Sequence, residues 1–301
     1  MHMADALLTP AVAGVMYAAS AVVAGASIVE LHKEEKQDLT SAAKKLPTMA
    51  VMSALVFAGQ MINYTIPGTG SSGHLCGGLL LTSVLGPWAG FLSMIVILTI
   101  QCLFFADGGL LALGANVWNM AFYGCFVGYF LIYRPLMRSR CFARRGERAA
   151  NRLKITLASV LGCVLTLQLG AFSVVLETTL SGITDLPFGA FCAIMQPIHL
   201  AIGLIEGLIT AAVLLFFIFR SACMKDGSVD YFLLWLLCGL PFGIHRMFLW
   251  IIPGGRSFGG SIAVFALNFL IGAVIGGVVL VWRLLVAVWY VPLTAYRLIK
   301  G

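Results

Sequence analysis

The residues with the strongest chemical character stand at the start of the chain, where Met1-His2-Met3 places an imidazole one residue after the terminal amine. A bulky second residue such as His2 favours retention of the initiator methionine. The Met1 amine and the His2 amide nitrogen then close a five-membered ring on a metal, and that amide nitrogen with His2 Nδ1 closes a six-membered one. Three nitrogens so arranged leave one corner of a square plane, the geometry that nitrogen ligands give Ni(II) and Cu(II) and that some cobalt states accept. His74, ending the loop Pro67-Gly-Thr-Gly-Ser-Ser-Gly-His74, is the natural fourth donor. Protons must leave the amine, the amide and the imidazoles, so binding at such a site releases protons and weakens in acid. Taken singly, a histidine near a terminus is usually solvated and a loop histidine usually packs or caps. The same loop imitates two phosphate-binding patterns, GxGxxG over Gly68–Gly73 and a P-loop ending at His74. Neither holds, because the first needs a βαβ unit around it and the second needs Lys then Ser/Thr where His74 and Leu75 stand. The glycines are better read as allowing a tight bend that brings His74 toward the N-terminus.

The elements that must position these residues are membrane helices. Of 301 residues, 60% are hydrophobic and 10% charged, whereas a soluble surface calls for roughly a quarter charged. Runs of the length that a spanning helix needs, about 20 residues, occupy 7–29, 48–66, 111–133, 155–176, 188–219, 231–252 and 261–282, and a longer stretch over 75–105 is divided by Gly86-Pro87. The expected fold is an all-α integral membrane protein, a polytopic helical bundle of about seven core spans with two C-terminal spans. The domains are expected at 1–220 and 221–301, the second ending in an interfacial tail around Trp289, Tyr290 and Arg297. With the N-terminus outside, every Lys and Arg except Arg246 and Arg256 falls in an inner loop, as cationic loops do. The +7 net charge is therefore topology and calls for no nucleic acid. Ala24-Gly-Ala26 looks like a signal-peptide cleavage site, but the first ten residues hold no Lys or Arg for a basic n-region. This topology puts the N-terminus and the 67–74 loop on one outer face.

Ionisable groups at membrane depth are functional candidates by default. His199 and Glu206 lie on one face of their span, ~10 Å apart by helix rise, as a proton or cation relay or as buried polar glue; His199 is also placed to stand behind the metal ligands. Asp107, Asn116 and Asn119 sit at outer span ends, where their side chains could hydrogen-bond and orient the ligand histidines. Glu177 and Asp185 are read as outer-loop acids that attract cations, and Asn63-Tyr-Thr65 matches a glycosylation sequon. The eight cysteines form no CxxC pair and read as small hydrophobes. Absence of HExxH or a recognisable Cys/His pair argues against an intramembrane enzyme built on His199 and Glu206. A partner-independent cation channel or carrier is the other alternative.

Four ordered stretches resemble the substrate-binding S components of cobalt and nickel energy-coupling-factor (ECF) transporters, the CbiM/NikM group. They are Met1-His-Met-Ala-Asp-Ala-Leu-Leu-Thr-Pro10, Ser72-Gly-His-Leu75, Phe105-Ala-Asp-Gly-Gly-Leu-Leu-Ala-Leu-Gly-Ala-Asn116 and His199-Leu-Ala-Ile-Gly-Leu-Ile-Glu-Gly-Leu-Ile-Thr-Ala-Ala212, within residues 1–220. The resemblance implies that Met1, His2 and His74 hold Co(II) or Ni(II), carried as substrate, and that this chain binds no nucleotide. It implies a prokaryotic plasma (inner) membrane location. Its implied partners are a transmembrane coupling (T) protein and two ATP-binding subunits that drive uptake. S components of this class are similar in packing a small-residue helix face on the coupling protein, which here falls to Ala50, Ala54 and Ala58; packing inside the subunit is the alternative. Residues 221–301 have the outline of the small two-span accessory membrane subunit found beside cobalt S components, or of a separate extension.

Overall fold

The computed structural model describes residues 1–37, 39–139, 147–218 and the pairs 224–225 and 228–229. The expected spans at 231–252 and 261–282, their connecting loop and the aromatic tail lie outside the described residues. The chain divides into two compact units, Met1–Phe217 and Ile218–Gly301. In the second, Met224–Lys225 pairs antiparallel with Ser228–Val229.

The first unit is helical apart from one small hairpin. In chain order it runs α1 Pro10–Gln37, α2 Leu39–Gln60, β1 Tyr64–Ile66, β2 Ser71–Gly73, α3 Gly78–Leu85 and α4 Pro87–Phe105. Then follow α5 Leu113–Arg138, which is π-helical over Trp118–Tyr133, α6 Glu147–Ser181 and α7 Phe188–Ile218. Among the described residues five helices are long and apolar enough to cross a membrane: Pro10–Gln37, Pro87–Phe105, Leu113–Arg138, Leu153–Ser181 and Phe188–Leu215. The break expected at Gly86-Pro87 is present: α3 ends at Leu85, Gly86 takes φ +86, and Pro87 opens α4 where a missing N–H costs nothing.

The second apolar run folds differently from the single span expected over 48–66. Its helix starts earlier, at Leu39, and stops at Gln60, and the run's last three residues form β1 instead. Tyr-Thr-Ile is β-branched and aromatic, which suits a pleated edge, and β1 pairs antiparallel with β2 with Thr65 opposite Ser72. Gly68 and Gly70 make the turn with φ +75 and +64, a region costly to a side chain. α3, at 8 residues, is about 12 Å long by helix rise, shorter than a bilayer's apolar core.

The core lies where α3, α4, α5 and α6 pack together, with Leu79, Leu81, Phe91, Met94, Ala121 and Ala171 among its buried side chains. Met1 and Met3 belong to this same cluster, so the amino terminus is an interior element. Ala50, Ala54 and Ala58 lie on an exposed face of α2, beside exposed Val51 and Leu55. They therefore make no buried packing face within the described chain.

Candidate metal centre

Three stretches build the site: the amino terminus, the hairpin with its continuation to Gly77, and the segment from Asp107 to Asn119. Residues 1–3 lie extended along β2. The Met1 amine donates to Ser72 O, Ser72 N–H donates to His2 O at 3.2 Å, and Met3 bridges antiparallel to Ser71. On the other side Gly109 N–H donates to Met3 O at 2.8 Å. Asn116 completes the grip, its Oδ1 accepting from Met3 N–H at 2.8 Å and its Nδ2 donating to Met3 O at 3.3 Å. The Met1 side chain is buried against α6, and a Cβ at Gly170 would fall 2.7 Å from its Sδ and 2.4 Å from Asn119 O. Glycine there leaves the room that the terminus fills.

This grip brings His2 and His74 together. Their rings stack with centroids 4.6 Å apart and planes 28° apart, at 4% and 2% exposure. His74 Nδ1 lies 2.7 Å from Leu75 O. A carbonyl only accepts, so Nδ1 carries the proton and Nε2 keeps its lone pair. That Nε2 is buried without a partner, as are both ring nitrogens of His2. Asp107 Oδ1 is 3.3 Å from His2 Nδ1, outside hydrogen-bond geometry. Buried polar atoms are ordinarily paired, so three open ring nitrogens in one pocket mark a place built for something else.

Electrostatics favours neutral donors. Burial lowers the Met1 amine from 8.0 to about 6, against the opposing pull of Cys76 and Asp107. Burial, then the nearby amine, lowers His2 to about 3, and the same two causes followed by His2 hold His74 well below its usual value. Near neutral pH the pocket thus presents lone pairs in place of positive charges. Burial raises the Asp107 carboxyl, while the amine and Asn63 pull it back. Among the described residues, His, Cys, Asp and Glu side chains form no group of three or more that could hold a metal ion.

The remaining expected residues divide by what they touch. Asp107 faces His2 and also accepts from Asn63 Nδ2 at 2.7 Å, so Asn63, read from sequence as part of a sequon, buttresses the pocket. Asn116 and Asn119 bond no histidine. Both bear on Met3, Asn119 through its Sδ at 3.7 Å, and Asn119 also donates to Glu177 Oε2 at 2.8 Å. Glu177 is no outer-loop acid: it lies inside α6, buried, because that helix continues past the end of its apolar run to Ser181. Asp185 is in the exposed loop between α6 and α7. His199 turns Nδ1 back to Met195 O in its own helix at 2.8 Å. Glu206 accepts from Cys76 N–H and Gly77 N–H at 2.6 and 2.9 Å. His199 and Glu206 therefore have separate partners and no bond to each other. Gln60 and Gln101, both fully buried in helices beside the pocket, were passed over in sequence; Gln60 Nε2 donates to Cys76 O at 2.5 Å. Polar residues inside apolar runs were the available signal.

Residues 2–222 match the family model described as the cobalt uptake substrate-specific transmembrane region, and residues 200–301 match a family of unknown function. A relative from Archaeoglobus fulgidus, named "Putative fused nickel transport protein NikMN", is 42% identical over 214 residues, which cover 71% of this chain and 64% of the relative. The chain thus spans somewhat less than two thirds of that relative's length. The cobalt transport protein CbiM of Sorangium cellulosum is 31% identical over 182 residues, covering 60% of this chain and 76% of that protein. Among solved structures, a truncated transition metal transporter superposes with a TM-score of 0.60 at 31% identity, covering 72% of this chain and 98% of that one.

Proposed function

Since the chain belongs to the family of cobalt uptake substrate-specific transmembrane regions, a multi-pass membrane family, we propose that it captures Co(II) or Ni(II) for uptake through the pocket of Met1, His2 and His74. The observation that carries this reading is the convergence of a buried neutral amine with three unpartnered imidazole nitrogens. The Met1 amine, the His2 amide nitrogen, His2 Nδ1 and His74 Nε2 supply four nitrogen donors, a set suited to a square plane. Asp107, held by Asn63, contributes negative charge beside the incoming cation.

The proposal extends to topology and assembly. The amino terminus opens to the outer side, and residues 1–220 make seven crossings, the third combining α3 with the buried, non-helical stretch that precedes it. Non-helical backbone at membrane depth is tolerated where protein covers it. Energy comes from a coupling protein and two ATP-binding subunits, since no nucleotide-binding motif stands in the chain. The exposed Ala50, Ala54 and Ala58 face of α2 is the surface offered to the coupling protein, because small side chains let helices approach closely in lipid. Loaded with metal, the outer loop is held closed, and motion of the partners tips the subunit to release metal inward.

The deciding experiment is a Ni(II) and Co(II) titration of the purified protein beside His74→Ala and a variant with one alanine inserted between Met1 and His2. One tightly bound metal with a square-planar spectrum, lost or altered in both variants, supports the chelate. Binding equal to wild type in both variants removes its chemical basis. Uptake into liposomes without partners or ATP would instead favour a self-sufficient carrier.

A further inference from the structure

The peptide group joining Leu75 to Cys76 is held at both ends. Its carbonyl oxygen accepts from His74 Nδ1 at 2.7 Å, and its N–H donates to Glu206 Oε2 at 2.6 Å. The next N–H, that of Gly77, donates to Glu206 Oε1 at 2.9 Å. Gly77 is the N-cap of α3, with φ +73 and no side chain to satisfy the helix's first donors. Glu206 reaches across from α7 and takes the N–H of that N-cap residue and of the residue before it, anchoring the entry to the helix. It is 3% exposed, and among the described residues no Lys, Arg or His forms an ion pair with it. The two backbone N–H groups, with the Cys163 thiol beside them, compensate the carboxylate.

We infer that Glu206 is a positioning residue for the metal, acting on His74 through the Leu75–Cys76 peptide. A carboxylate that accepts from a peptide N–H polarises the whole group and places more negative charge on its carbonyl oxygen. That oxygen binds His74 Nδ1–H more strongly, which fixes the ring and makes Nε2 a better donor. Carboxylate–histidine–metal chains do the same by direct contact; here one peptide unit is interposed. Because both carboxylate oxygens are engaged by successive N–H groups, the loop is held against sliding as well as against rotation. This assigns Glu206 a task separate from any relay with His199. It rests on the reading of His74 as a metal ligand.

Glu206→Gln keeps the side-chain size but turns an NH2 group toward one of the two backbone donors. Ni(II) is titrated into the purified full chain as wild type, Glu206→Gln, His74→Ala and Thr210→Val. Thr210 lies one turn further along α7, its hydroxyl 3.8 Å from Cys163 Sγ, and holds neither of the backbone N–H groups that Glu206 holds. The expected result is an affinity loss of about tenfold in Glu206→Gln, at the low end of what outer partners contribute. A shifted visible absorption band of the bound Ni(II) should accompany it, with Thr210→Val matching wild type in both readouts. If Glu206→Gln binds and absorbs like wild type while His74→Ala loses the metal, the positioning role is overturned and the His74 reading stands. If His74→Ala also binds like wild type, the His74 reading fails and this inference with it. Equal effects of Thr210→Val and Glu206→Gln would make the effect general to α7 and overturn the assignment. Should Glu206→Gln not fold, the wild type still decides by NMR. The Cys76 amide proton is expected far downfield and should move when low-spin, diamagnetic Ni(II) saturates the site; an unmoved resonance overturns the inference.

Discussion

The pocket at the amino terminus and the carboxylate of α7 are buried to a similar degree, yet they use their polar atoms in opposite ways. Glu206 spends both oxygens on backbone donors of the loop. His74, two residues before Cys76 on that loop, and His2, stacked on it from the amino terminus, leave three ring nitrogens without partners. A buried polar atom that is satisfied within the chain holds structure, and its replacement is felt as a misplaced neighbour. A buried lone pair kept neutral and open costs stability in the empty state, and that cost is recovered only when something binds. His199 stands between these cases, with one nitrogen satisfied by its own helix and the other open.

The comparison breaks most severely if His74→Ala leaves Ni(II) affinity intact. The expected loss exceeds the ~10–100-fold that outer partners are worth, read by titration with thermal melting as the check on folding. The next largest effect is pH. The Met1 amine titrates near about 6 in the pocket, so above that value the metal displaces chiefly the amide proton, and below it must displace the amine proton as well. Since His2 is held near about 3, it adds nothing until stronger acid. Affinity should therefore fall by about tenfold per pH unit from 8 to 6 and about a hundredfold per unit below, a break in slope that calorimetric titration resolves. Asn116→Ala should follow: it strands the buried Met3 N–H at a cost of ~1–3 kcal/mol and loosens the terminal strand, which weakens binding without changing the absorption band of what does bind. His199→Gln is expected to change affinity by less than about threefold, since loss of an outer group with no bond to a ligand falls below the usual range. The smallest effect on metal belongs to Ala54→Leu. Titration should match wild type while co-purification with the proposed coupling protein fails, and a loss of metal affinity there would place that face inside the subunit's own packing.

Several features were legible in the residues themselves. Met1-His2 places an amine, an amide nitrogen and an imidazole at chelating spacing by bond count, because ring size depends only on neighbours in sequence. The α3–α4 break is written in Gly86-Pro87. Other features were not legible. Tyr64-Thr-Ile66 completes an apolar run and reads as the end of a span, yet it pairs with Ser71–Gly73 because the chain must return to meet the terminus. Glu177 reads as a loop acid because its run of hydrophobics has just ended, and its burial and the hydrogen bond it accepts from Asn119 on a neighbouring helix come from tertiary packing. Glu206 announces itself as an acid in a membrane helix, but its partners are backbone N–H groups 130 and 129 residues away in sequence, and backbone groups carry no sequence signal.

What the sequence determined by itself is the solvent the chain lives in, most of the long helices it forms and the nitrogen atoms it clusters at its start, all of which follow from composition, local periodicity and covalent geometry. Tertiary structure alone decided that Met1 and Met3 are core residues, that His2 and His74 share one pocket, and that Glu206 braces the loop while Asn116 and Asn119 hold Met3. Those outcomes depend on which distant segments meet, and a meeting is fixed by the joint packing of several helices, which no single stretch of residues encodes.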